Sequence, residues 1–190
     1  MSDAFLDPIR PDERGPRSVA VLLLLSSLVV LGMAWQDWQL HERGLTDEEI
    51  EIFLKTPNNQ EGEPTTVEQY RAFEDSVREA NGYLIRSLSL FTTAGALLIG
   101  APMLYRLKRV GAQLCVLGAS VGLIGGVAGS VLINRSAAEH LGDALMLTYE
   151  IWVYLCGSLM GICLALAALP LLNARAKLAL QPRVKLDEEA

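Results

Sequence analysis

The sequence predicts an all-α integral membrane protein, a four-helix bundle whose helices extend on the outer side beneath a short helical cap. Three observations lead there. Four apolar stretches, 18–35, 87–105, 114–133 and 151–172, contain no Asp, Glu, Lys, Arg or His. Each is near the ~20 residues that an α-helix needs to cross a hydrocarbon core of ~30 Å. Polar residues concentrate in 36–86 instead, so the chain is 51% apolar but its mean hydropathy is only +0.30.

Residues 1–17 are rich in Pro, Asp and Arg and read as a loosely ordered tail. Gly32-Met33-Ala34 has the small-residue look of a signal-peptide cleavage site. The apolar run before it is longer than a signal h-region, so a retained anchor is expected. Beyond the membrane, Leu31, Ala34, Trp38, His41 and Leu45 follow a helical spacing and predict one packed face, with Gly44 as the stop.

The outer loop, 36–86, is expected to be helical. Thr46-Asp47-Glu48-Glu49 is a capping box that opens a short helix with Ile50, Phe53 and Leu54 on its apolar face. Asn58–Pro64 is a turn-rich link. Thr66-Val67-Glu68-Gln69 is a second capping box. Tyr70, Phe73, Val77, Ala80 and Leu84 continue it as a seam into the second span, which predicts one helix from Val67 to Tyr105 with a bend at Asn81-Gly82. An inner loop, 106–113, leads to the third span. Ser136-Ala137-Ala138-Glu139, in the outer loop 134–150, is a third capping box and predicts the start of the fourth helix. After Leu172 a tail, 173–190, is expected to begin with a short interfacial helix at 174–180 and to end in solvated acids, Asp187 to Glu189.

Charge predicts orientation. Arg10, Arg14 and Arg17 precede the first span, Arg106, Lys108 and Arg109 separate the second and third, and Arg175, Lys177, Arg183 and Lys185 follow the fourth. Arg135 is the lone Lys or Arg between the third and fourth spans. The positive-inside rule therefore puts both termini in the cytoplasm of a cell-membrane protein. Trp35, Trp38, Tyr149 and Trp152 at the outer boundary, and Tyr105 at the inner one, read as an aromatic belt.

Glycine predicts packing. Gly111, Gly118, Gly122, Gly125 and Gly129 form one seam on the third helix, and Gly118, Gly122 and Gly126 a double small-xxx-small motif. Helices in lipid associate by close backbone approach, which glycine permits. The fourth helix carries Gly157, Gly161 and Ala165 at the same spacing, so these two helices are expected to pair tightly.

Chemistry is sparse. The spans lack the ionisable groups that proton relays, ion-coupled transporters and voltage sensors need. Cys115, Cys156 and Cys163 lie within spans and imply no disulfide framework, with Cys115 a candidate for acylation near the inner boundary. His41, His140, Asp143 and Glu150 gather at the outer boundary, and imidazoles with carboxylates are metal-ligand chemistry. Their spacing is no established metal signature, and helix-surface histidines with solvated carboxylates are the ordinary reading. Asn134-Arg135-Ser136 is a glycosylation sequon. The net charge of −6 and the acidic outer loop argue against nucleic-acid binding.

The leading expectation is a non-catalytic accessory or scaffold subunit that holds no cofactor. Its expected partners are the lipid bilayer and, through glycine faces, another membrane protein or a second copy. A small oligomeric cation channel is one alternative. A membrane protein or enzyme binding metal through the His/carboxylate group is the other.

Overall fold

The computed structural model describes residues 11–59 and 64–181. The rest of both tails, the acidic Asp187–Glu189 stretch and part of the Asn58–Pro64 link lie outside them. Among the described residues all regular structure is helical, with no strand. Its helices are α1 (Arg14–Glu42), α2 (Asp47–Leu54), α3 (Val67–Glu79), α4 (Gly82–Tyr105), α5 (Arg109–His140), α6 (Asp143–Leu172) and α7 (Ala174–Ala179). A 3-10 turn, Pro57–Asn59, follows α2. Helices α1, α4, α5 and α6 are long and apolar enough to cross a membrane. They pack in the order α1, α4, α5, α6, and α1 touches α6 to close the bundle.

The ends follow local chemistry. Asp12 Oδ1 accepts from the Arg14 and Gly15 amides, at 3.0 and 3.1 Å, and so opens α1. Gly44 closes it with φ +64, a conformation that costs glycine little. Two of the three predicted capping boxes form, Thr46 with Glu49 and Thr66 with Gln69. At the far end, Asn173 Oδ1 caps α7 by accepting from the Arg175 and Ala176 amides.

Three expectations about helix ends and faces are corrected. First, α3 and α4 are separate helices. Asn81 adopts a left-handed φ of +56, which Asn tolerates better than most residues. The break resets the helical phase, so Tyr83 is buried, Leu84 only partly so, and Ala80 is exposed. Second, Leu31 leaves the predicted face of α1: Ala34 is buried, Trp38 meets the Phe91 ring and Leu45 packs on the cap core as expected, while Ala20, Leu23, Ser27, Val30 and Asp37 complete the buried side. Leu31 points outward, because α1 packs on α4 with Asp37 turned towards it. Third, Ser136 opens no helix. It lies inside α5, among residues that sustain a helix, and its hydroxyl pairs with that of Ser76 on α3 at 3.0 Å. The turn to α6 is made by Leu141 and Gly142.

The core has three storeys. Midway along the bundle, Val30, Ala34, Leu90, Ala94, Cys156 and Met160 pack together. At the termini end, Ala20, Leu23, Leu97, Leu104, Cys115, Ala167 and Leu180 form a second cluster. At the other end α2 and α3 lay Ile50, Leu54, Tyr70, Phe73 and Val77 over Tyr83, Ile133, Ala137 and Leu145. The cap is therefore continuous with the bundle core. Tyr149 belongs to this cap, 5.0 Å from Phe73 ring to ring, rather than to an aromatic belt, whereas Trp35 and Trp152 are exposed.

The glycine seam faces α4, and at Gly122 it also comes close to Met160 of α6. A Cβ at Gly111 would lie 2.5 Å from the Leu104 amide nitrogen, and one at Gly118 2.4 Å from Ala96 Cβ. Gly122 and Gly125 stand in the same relation to Thr93 and Ser89. Thr93 Oγ1 uses the closeness to donate to the Gly118 carbonyl at 2.8 Å. Helices α5 and α6 do pack, but Gly126 and Gly157 meet their neighbours there at ordinary van der Waals distance, and Gly161 has open space. Gly111→Ala is therefore expected to lower stability by about 1–3 kcal/mol, the usual cost of overpacking. Gly161→Ala should leave it unchanged, and thermal unfolding in detergent compares the two.

Candidate functional site

The most heavily built polar feature lies where the cap meets the bundle. Arg86, in the first turns of α4, forms a forked ion pair with Asp37 of α1. Its Nε donates to Oδ2 at 2.7 Å and its Nη2 to Oδ1 at 2.5 Å. The side chains are only 17% and 7% exposed. Nη1 also reaches Ser130 Oγ on α5 at 3.5 Å, and the guanidinium carbon lies 5.9 Å from the centre of the Tyr83 ring. Gly129 makes room for this arrangement, because a Cβ there would sit 2.7 Å from Arg86 Cβ. One guanidinium thus ties three spanning helices together at one level.

A second polar group fastens the cap. Glu74 of α3 is buried, and its Oε1 accepts from the Leu45 amide at 3.1 Å. Arg78, one turn on, reaches the Leu40 carbonyl at 3.5 Å. Gly44 lies against both side chains, and a Cβ there would clash with the Arg78 guanidinium. Burial raises the Glu74 pKa above the ordinary glutamate value, although the Leu45 amide and the nearby Arg78 charge oppose it. Thr65 completes the fastening. It exchanges two hydrogen bonds with Asn58 and accepts from the Gly142 amide, all at 2.9–3.0 Å. Tyr70 and Tyr149 bring their hydroxyls to 3.3 Å, joining α3 to α6.

The residues predicted as a metal site fare differently. His140 Nδ1 lies 3.0 Å from the Ser136 carbonyl of its own helix, and Asp143 is exposed in the first turn of α6. His41 and Glu150 are each half-buried, and His41 Nδ1 has no hydrogen-bond partner. Among the described residues no three His, Cys, Asp or Glu side chains come together to hold a metal ion. His41, His140, Asp143 and Glu150 are therefore not assembled into a site. Cys115, the acylation candidate, is fully buried, and its Sγ lies against Gly100. Asn134 of the sequon lies within α5 with a buried Oδ1.

The Arg86–Asp37 pair is hard to read from the sequence, because both residues lie just outside the apolar spans, at the two ends of the outer loop 36–86. A usable signal was present. Asp37 follows the first span by two residues and Arg86 precedes the second by one. The two spans run in opposite directions, so those positions share one depth, as does Gly129-Ser130 near the end of the third.

The cap also carries two shallow grooves. One, of about 380 Å³, is lined by Glu51, Leu54, Lys55, Asn58, Thr65 and Val67. The other, of about 620 Å³, is lined by Asp47, Glu51, Glu68, Arg71 and Asp75. Arg71 is paired to Asp47 in the second groove. Ile52 and Phe53 of α2 are exposed beside the grooves, at 65% and 42%.

Two outcomes are expected. Removing one partner of the buried pair, Arg86→Ala or Asp37→Ala, should cost about 3–5 kcal/mol, and Asp37→Leu with Arg86→Met should recover most of it. Chemical unfolding of the three variants in detergent measures this. For Glu74, a raised folded-state pKa means that the folded chain holds the proton more tightly. That stability is complete below the unfolded value of 4.5 and is lost as pH rises through the folded one. Wild type should therefore gain thermal stability from this group between neutral pH and 4.5, and Glu74→Gln should flatten that part of the profile.

Set beside known proteins, the chain matches no family model, no curated protein and no solved structure.

Proposed function

We propose that this protein is a non-catalytic membrane scaffold or accessory subunit that presents a rigid helical cap to a partner. The observation that carries the reading is the commitment of the buried ion pair to joining helices. Arg86 is engaged by Asp37 and Ser130, so the strongest polar feature of the fold holds α1, α4 and α5 in fixed relation. The groups around it fasten the cap in the same way, through Glu74 to Leu45 and Thr65 to Gly142. The cap offers a surface for a protein partner, where exposed Ile52 and Phe53 stand among Glu48, Glu49 and Glu51.

The distribution of charge supports an orientation with the cap outside the cell membrane and both termini in the cytoplasm. Arg14, Arg17, Arg106, Lys108, Arg109, Arg175 and Lys177 all belong to the termini end. A channel within one copy has little support, because Leu23, Val30, Leu90, Leu97 and Met160 fill the interior. Conduction would need a path between copies.

Capture of the tagged full chain from its native membrane in mild detergent tests the scaffold reading. A reproducible complex with a second membrane protein, lost in a cap variant such as Ile52→Asp with Phe53→Asp, is expected. A lone monomer under those conditions would contradict it. Labelling of single cysteines, introduced at Glu48 and at Lys177 in a chain freed of its own three, tests the orientation. An impermeant reagent on intact cells should reach position 48 alone.

A further inference from the structure

The basic residues of the two ends differ in part: at the cap end Arg43, Lys55 and Arg135 are exposed with no side-chain hydrogen bond or ion pair among the described residues, but three others are held. In the cap and at its base, Arg71, Arg78 and Arg86 are each bonded to a carboxylate or carbonyl. At the termini end, Arg106, Lys108, Arg109, Arg175 and Lys177 are exposed, and none of their side chains has a hydrogen bond or ion pair among the described residues. The described acids of that end are Asp12 and Glu13, and both are engaged locally, with the start of α1 and with Arg17.

These cations are held in place by the fold. At the α4–α5 turn the Leu107 amide bonds the Leu104 carbonyl at 2.8 Å, and the Lys108 amide bonds the Met103 carbonyl at 3.0 Å. This is a Schellman closure, which places its αL residue just after the helix. Glycine usually takes that place, but here it is Leu107, at φ +60. The Leu107 side chain packs into the core cluster of the termini end. The turn is thereby pinned inward at Leu107 and presents Arg106, Lys108 and Arg109 to the outside. Leu180 and Ala176, beneath α7, are buried, Leu180 in that same cluster, while Arg175 and Lys177 point away from it. The Asp12 amide bonds the Arg175 carbonyl at 3.1 Å, so the start of α1 braces α7.

The level of these cations also matters. Arg106 follows Tyr105, which is 52% exposed, and Arg109 precedes Val110, which is 60% exposed. Leu172, at 79%, ends α6 just before α7. Unpaired cations thus rim an exposed apolar belt, at the depth where lipid phosphates lie when that belt faces acyl chains.

We propose that this rim is a docking surface for anionic phospholipid headgroups, with Arg106, Lys108, Arg109, Arg175 and Lys177 binding their phosphates. The inference rests on the membrane reading of the four long helices and is independent of the scaffold reading. Each cation close to an anionic lipid surface strengthens binding about fivefold at ordinary ionic strength, so the rim should discriminate strongly between anionic and zwitterionic lipid.

The test is native mass spectrometry of the full chain released from micelles holding equal amounts of phosphatidylglycerol and phosphatidylcholine with identical acyl chains. Wild type should retain phosphatidylglycerol at least about tenfold more often, with the preference falling as salt rises. Neutralising Arg106, Lys108, Arg109, Arg175 and Lys177 to Gln should abolish it. Neutralising Arg43 and Lys55 of the cap should not. Should the fivefold variant fail to fold, R106Q/K108Q/R109Q and R175Q/K177Q are each expected to lose part of the preference, and the salt dependence is read on wild type alone. Equal retention of the two lipids by wild type overturns the proposal, as does a preference that survives neutralisation. Displacement of the bound lipid by inorganic phosphate, beyond the effect of chloride at equal ionic strength, would mark a free-anion site and also overturn it.

Discussion

The constraint on which the rest depends is the backbone contact between α4 and α5. A helix pair in lipid gains little from excluding water, so its stability rests on close packing and on hydrogen bonds between backbones and side chains. Here the glycines of α5 provide both. Gly111 and Gly118 let the α4 backbone and Ala96 come within a side chain's width, and the same approach lets Thr93 reach the Gly118 carbonyl. Gly129 extends the seam to the level of Arg86. Without that space the guanidinium could not turn from Ser130 towards Asp37, and α1 would lose this charged tie to α4.

The cap follows from the same geometry. Because α4 starts pressed against α5 at Gly82 and Ile133, the preceding α3 is aimed across the end of α5. Phe73 and Val77 then land on Ile133 and Ala137, and α2 closes over them with Ile50 and Leu54. Glu74 is buried in the process. Its raised pKa is the cost of using a carboxylate to satisfy the Leu45 amide at the end of α1. The cap is thus a continuation of the membrane bundle in which aromatic packing takes the place of glycine contact.

Much of this is legible in the sequence, for physical reasons. The charge-free runs, the two capping boxes and Gly44 depend on neighbours only a few residues away, and all appear as read. What depends on distant partners was not legible. The 7-4-3-4 spacing of Gly111 to Gly129 identifies a smooth face but does not say which helix meets it, and the matching spacing of Gly157 and Gly161 points to α6 where α4 is found. Ser136 matches a capping box by spacing, yet it is helical, because a cap needs an extended backbone and nothing at Arg135 or Ala137 interrupts α5. Leu107 in a left-handed conformation has no local signal at all, since its side chain is held by a cluster drawn from helices far apart in sequence. Grouping His41 with His140 assumes that two helices converge, and spacing along one helix carries no information about the distance to another.

The central claim is that cap and bundle form one rigid unit locked by the α4–α5 seam and the Arg86–Asp37 pair. Hydrogen–deuterium exchange of the full chain in a lipid nanodisc tests it most directly. The account predicts slow exchange of the amides around Ile50 and Phe73, comparable with those of α4, and their joint loss of protection when Arg86 is removed. Fast exchange throughout α2 and α3 beside well-protected spans would contradict it.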